Sequence, residues 1–172
     1  MGQGGPRSTR PQGSSTTCSL CSRGTRRWTW WSRPPATPTS TCTTVEDTGI
    51  CLGQALEEAL GDRSGIARFA SVAVPMDEAL AEVSLDLSGR PFLVYNVTFP
   101  GERVGEFETE LVEEFLQAFV NHARATLHVS VAYGTNDHHI AEAIFKGVAR
   151  TLKAAVARDP RGGGIPSTKG VL

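Results

Sequence analysis

Asn136-Asp137-His138-His139-Ile140-Ala141-Glu142-Ala143-Ile144-Phe145-Lys146 is the stretch from which the rest of the 172-residue chain can be read. It is a His-His-x-x-Glu sequence at the head of a helix. Residues three or four apart share a helix face. Glu142 follows His138 by four positions and His139 by three, so one turn can present two imidazoles and a carboxylate together. Nitrogen beside hard oxygen suits a borderline divalent metal such as Mn²⁺, Fe²⁺ or Zn²⁺. His128, within the strand-like Thr126–Val131, could supply a further nitrogen. The competing reading is a solvated helix start whose polar residues cap the helix and complement its dipole.

Around this stretch the composition splits in two. Residues 1–45 hold six Arg, all three Trp, three of the four Cys and no Asp or Glu. Residues 46–172 hold all eighteen acidic residues and all four His. The whole is long enough and apolar enough, at 40%, for one domain with a real core. A net charge of -1 gives no reason to expect nucleic acid as a partner. No apolar run reaches the roughly 20 residues of a membrane span, so no membrane association is expected. The cysteines at 18, 21, 42 and 51 form no disulfide framework, and a reducing cytoplasmic setting is expected.

Residues 1–43 keep neither a strand nor a helix period. An Arg- and Ser-rich leader, a zinc or redox pair at Cys18 and Cys21, and translation in a shifted frame are the competing readings. From Thr44 the pattern is legible. A helix is predicted to Leu60, ended by Gly61, with Gly49 and Gly53 four apart for close packing. Short extended segments follow at 66–69 and 70–76, then a helical turn or bend at 77–80. Strands are predicted at 81–87 and 92–97, the three together suggesting an antiparallel meander. A helix from about Glu110 to Arg124, carrying His122 as a structural residue, precedes a strand at 126–132 and a helix from His138 to about Ala157.

An offset of 96 residues carries Glu46 onto Glu142 and aligns two apolar-striped helices. Cys42 and Thr43 then fall where His138 and His139 stand. A duplicated unit would carry His-His-x-x-Glu in both copies.

The chain from Thr44 to Leu172 resembles the imidazoleglycerol-phosphate dehydratases of histidine biosynthesis. The resemblance rests on Val45-Glu46-Asp47-Thr48-Gly49, Gly61-Asp62-Arg63-x-Gly65-Ile66-x-Arg68-Phe69, Ser88-Gly89-Arg90-Pro91, Leu127-His128-Val129, the His-His-x-x-Glu stretch and Pro166-Ser167-Thr168-Lys169-Gly170. It implies an α+β fold of two duplicated two-layer αβ half-domains, sheet packed on helices, with the second half intact and the first incomplete. It implies a lyase that converts imidazole glycerol phosphate to imidazole acetol phosphate and water. The enzyme would be a large cytoplasmic homo-oligomer with two Mn²⁺ ions at each intersubunit site. By the same resemblance His128, His138, His139, Glu142 and Glu46 are the metal ligands. Glu142, with Glu46 as its first-half counterpart, is the expected catalytic carboxylate. Arg68, Arg90, Ser167, Thr168 and Lys169 are the expected phosphate contacts, and Lys146 faces the substrate.

The resemblance makes the shifted frame testable. The family sequence Phe-Phe-Asp-His-Met-Leu in GC-rich codons, read one nucleotide late, gives Ser14 to Ser19, and Val-Asp-Leu-His-His gives Ser40 to Thr43. Residues 1–43 are accordingly expected to be a frameshifted, non-native segment preceding a dehydratase domain at 44–172, with the start also truncated. Resequencing the locus tests this; peptides from 1–43 found in cells would refute a sequencing error. Without the first-half imidazoles the chain is expected to bind metal weakly and to be inactive. It would then be a relic or a subunit that only joins the oligomer. A zinc-binding interaction module built on Cys18 and Cys21 is the third reading.

Overall fold

The first described helix, α1 (Thr41–Leu60), carries the two glycines at its only buried positions. The structure is a computed structural model and describes residues 41–159. A Cβ on Gly49 would meet the Phe115 carbonyl oxygen at 2.7 Å, and one on Gly53 would meet that of Phe119 at 2.6 Å. Both oxygens belong to α2 (Leu111–Ala123), so the glycines let two backbones approach. Arg63, itself buried, fastens this helix pair just beyond α1. Its guanidinium pairs with Glu57 and reaches the Ala123 carbonyl at 3.4 Å. Thr41, Cys42 and Thr43 lie before the break in composition, yet they form the first turn of α1.

A four-stranded sheet follows: β1 (Phe69–Met76), β2 (Ala79–Asp86), β3 (Phe92–Asn96) and β6 (Thr126–Tyr133), in the order β1-β2-β6-β3. The expected meander is correct only for its first pair. β6 inserts between β2 and β3, antiparallel to the first and parallel to the second. Parallel pairing needs a crossover. It is provided by the small hairpin β4 (Arg103–Val104) and β5 (Phe107–Glu108) together with α2. β6 earns the central place because Leu127 and Val129 are fully buried, whereas Phe92 on the edge strand stays 60% exposed.

Of the expected helical turn or bend at 77–80, the bend is what forms, confined to two residues. Asp77 and Glu78 are a two-residue hairpin loop, with Met76 paired to Ala79. Asp77 takes the positive φ of 48° that such a loop demands, and Asp is one of the few side chains that accepts it. Local sequence could not separate the two readings, because Ala79 and Leu80 suit a helix as well as the strand they join.

Alternation along β2 puts Ala79, Ala81, Val83 and Leu85 into the core and Glu82, Ser84 and Asp86 on the other face. The last helix, α3 (Asp137–Ala155), lies on the core face over β1 and β2. It buries Ile140, Ala143, Ile144, Gly147, Thr151 and Ala155. Among the described residues the architecture is α+β, a four-stranded sheet with helices on one face and the opposite face open, beside the small β4–β5 hairpin. His122 is structural as expected, its Nδ1 lying 2.9 Å from the Ala118 carbonyl one turn back.

Candidate functional site

The head of α3 is built by a cap. Asn136 is extended, and its side-chain oxygen accepts from the His138 amide at 2.9 Å and the His139 amide at 3.2 Å. This satisfies two of the backbone donors that every helix start leaves open. It also fixes where both rings leave the backbone. His138 and Glu142 face each other across one turn, Nε2 to Oε2 at 3.5 Å. Glu142 is bridged on its far side by the Lys146 ammonium at 2.7 Å. That hydrogen bond, ahead of the charges of Lys146, His138 and His139, holds the Glu142 carboxyl below the usual carboxylate range. The Lys146 ammonium also reaches the Met76 sulfur at 3.4 Å.

His139 turns the other way. Its Nδ1 lies 2.7 Å from Glu78 Oε2, and its Nε2 lies 3.5 Å from Asp77 Oδ2. Hydrogen bonding to Glu78 raises the His139 pKa, and the same bond pulls Glu78 down to about 2. Asp77 and Glu78 are neighbours of His139 that the sequence did not reveal. Only the hairpin brings them to α3, and a polar pair between two alternating strands reads as nothing more than a turn. A hollow of about 260 Å³ opens beside His138 and Glu142, walled by Val104, Phe107, Val112 and Phe145.

The other candidates gather elsewhere. His128 stands mid-strand on the open face of the sheet, level with Ser84 on β2 and Val94 on β3. It borders a depression of about 380 Å³ with Phe69, Ser71, Asp86 and Thr126. Arg68 reaches the same corner and grips Asp86 with two nitrogens, at 2.7 and 3.2 Å. Its guanidinium also covers the Phe69 ring at 4.5 Å. Arg90 approaches Asp86 at 3.8 Å and is 76% exposed. Glu46 is exposed on α1. Ser167, Thr168 and Lys169, like Cys18 and Cys21, lie outside the described residues.

The structure thus sorts the candidates into two sets. One is His138, His139, Glu142 and Lys146 at the head of α3; the other is His128, Arg68 and Arg90 on the open sheet face. His128 is five residues from the end of β6 nearest α3, about 17 Å of strand, and on the opposite side of the sheet. Among the described residues, no group of three or more His, Cys, Asp or Glu side chains converges to hold a metal ion.

The sequence profile of the family described as imidazoleglycerol-phosphate dehydratase matches residues 38–152. The chain is 60% identical over 130 residues to the imidazoleglycerol-phosphate dehydratase of Methylorubrum populi, a match covering 75% of this chain and 67% of the relative. The chain belongs to the imidazoleglycerol-phosphate dehydratase family. The dehydratase of Xanthobacter autotrophicus is 62% identical over 130 residues, covering 75% of this chain and 66% of that one. The chain thus spans about two thirds of the length of these dehydratases. The fold agrees. The crystal structure of the dehydratase from Staphylococcus aureus superposes with a TM-score of 0.68 at 44% identity, over 70% of this chain and 71% of that one. The dehydratase from Pyrococcus furiosus gives 0.70 at 38% identity, over 79% and 74%. No described helix is long and apolar enough to cross a membrane.

Proposed function

We propose that this chain is the end of the first half and the complete second half of a cytoplasmic, Mn²⁺-dependent dehydratase of histidine biosynthesis, whose in-frame form acts on imidazole glycerol phosphate across subunit boundaries in a homo-oligomer. The observation that carries this reading is the division of the candidate residues between two solvent-open places that one chain cannot bring together. The donor types fit Mn²⁺. His138 and Glu142 stand 3.5 Å apart on an exposed helix turn, and neither is spent on the core. They would hold one ion, His139 would offer Nε2 to an ion on the side it faces, and His128 would be supplied by a neighbouring chain. When bound, the ions would supply positive charge to offset the negative charge that develops beside the substrate's imidazole ring.

The remaining tasks fall to the chain's own groups. The hydrogen to be removed sits on a carbon next to the ring, and a carboxylate must accept it. Glu142 is that carboxylate in this half, and Lys146 fixes one of its oxygens. Arg90 offers an exposed planar fork to the phosphate, while Arg68, held by Asp86, keeps a second cation beside it. Ser167, Thr168 and Lys169 complete the phosphate set in this reading.

The first-half turn differs. The first turn of α1 places Cys42 and Thr43 ahead of Glu46, where α3 places His138 and His139 ahead of Glu142. This favours a chain that joins its assembly but binds metal weakly and turns over no substrate. A one-nucleotide shift of frame through residues 1–43 supplies the reason, since shifted His codons read as these residues. The experiment is Mn²⁺ titration followed by electron paramagnetic resonance. The double substitution Cys42→His/Thr43→His should tighten binding at least tenfold, and His138→Ala/His139→Ala should abolish it. Unchanged binding in both would overturn the reading, as would turnover by the unaltered chain at ordinary enzyme rates.

A further inference from the structure

Glu78 is placed where it governs both the cap and the ring at the head of α3. Its Oε1 accepts from the Asn136 amide at 2.8 Å and the Thr135 amide at 3.1 Å, with the Thr135 hydroxyl at 3.4 Å. Its Oε2 meets His139 Nδ1 at 2.7 Å. Asn136, held in this way, in turn accepts from the amides of His138 and His139. One side chain from the β1–β2 hairpin therefore spans the loop that begins the helix and the ring that follows it. An ionised carboxylate only accepts hydrogen bonds. The proton of a neutral His139 must then sit on Nδ1, which leaves the lone pair on Nε2, the nitrogen that faces Asp77 Oδ2 at 3.5 Å.

We propose that Glu78 is a positioning residue that locks His139 as the Nδ1–H tautomer and presents Nε2 to a divalent cation. This rests on the reading of His139 as a metal ligand. A carboxylate behind a ligating imidazole fixes ring orientation and makes the ligand more basic, and removing such a partner costs about 10–100-fold in metal affinity. A role confined to the helix cap would act on stability alone.

Glu78→Gln separates the two. The Gln carbonyl keeps accepting from the Thr135 and Asn136 amides, but its NH₂ group donates to Nδ1 and so favours the Nε2–H tautomer. The ring is observed by long-range ¹H–¹⁵N NMR on the full 172-residue chain without metal, at a pH where it is neutral. The unaltered chain should show Nδ1–H, and Glu78→Gln should shift His139 towards Nε2–H with the fold intact by circular dichroism. Mn²⁺ affinity should fall about 10–100-fold in the same variant. A His139 that stays Nδ1–H in Glu78→Gln, with Mn²⁺ affinity unchanged, would overturn the proposal. Loss of the ligand reading is seen separately: His139→Ala would then bind Mn²⁺ as tightly as the unaltered chain, whatever the tautomer.

Discussion

At the scale of single residues, the chemistry at the head of α3 is a set of short polar contacts, each with its own pH window. Glu78 is held at about 2 by His139, against an ordinary 4.5, so its stabilising contribution is complete above 4.5 and fades as pH falls towards 2. The His139 pKa is raised from 6.5 by Glu78, so its contribution is complete below 6.5 and fades as pH rises through the raised value. The two windows overlap between 4.5 and 6.5. The loss of thermal midpoint in His139→Ala should therefore be greatest there and should shrink in both directions; a loss independent of pH would refute the pair. Lys146→Met should move the Glu142 carboxyl back up towards 4.5, as read by carbon-detected NMR titration, because Lys146 is the largest cause of its depression. His138, His139 and Glu142 were legible as a group because helix geometry fixes what spacings of three and four mean. Asp77 and Glu78 were not, because no local rule reaches from a hairpin loop to a helix some sixty residues later.

At the scale of elements, two helices are defined by what they tolerate. Gly53→Ala would gain up to about 1 kcal/mol of helix propensity. The new methyl would meet the Phe119 carbonyl oxygen at 2.6 Å and the Ala123 nitrogen at 2.9 Å, both backbone atoms that cannot swing aside. Overpacking of this kind costs about 1–3 kcal/mol and wins. The variant should melt below the unaltered chain, whereas Gln54→Ala, at an exposed position of the same helix, should not. Asn136→Ala removes the acceptor for two amides and should cost about 1 kcal/mol by chemical denaturation. The helices were legible from apolar period and the glycine pair. The strand order was not: the apolar run marks β3 as a strand, but not that β6 will take the place beside β2. That outcome depends on the crossover through α2.

At the scale of the whole molecule, the polar residues of interest lie at separate surface points on opposite sides of one sheet. His128 has no route to the head of α3 within its own chain, and Glu46 sits exposed on a helix packed against α2. Isolated chains should consequently hold metal with less than the full ligand set. Association of chains should raise affinity, so apparent Mn²⁺ affinity should climb with protein concentration in parallel with the sedimentation coefficient.

The central claim is that His128 and His138 serve one metal from two chains. Mn²⁺ binding measured by electron paramagnetic resonance, at a protein concentration where sedimentation shows association, tests it in His128→Ala and His138→Ala side by side. The account predicts that each substitution alone removes most of the bound Mn²⁺, to a similar degree, with the fold intact by circular dichroism. Binding that survives His128→Ala undiminished while His138→Ala abolishes it would contradict the account.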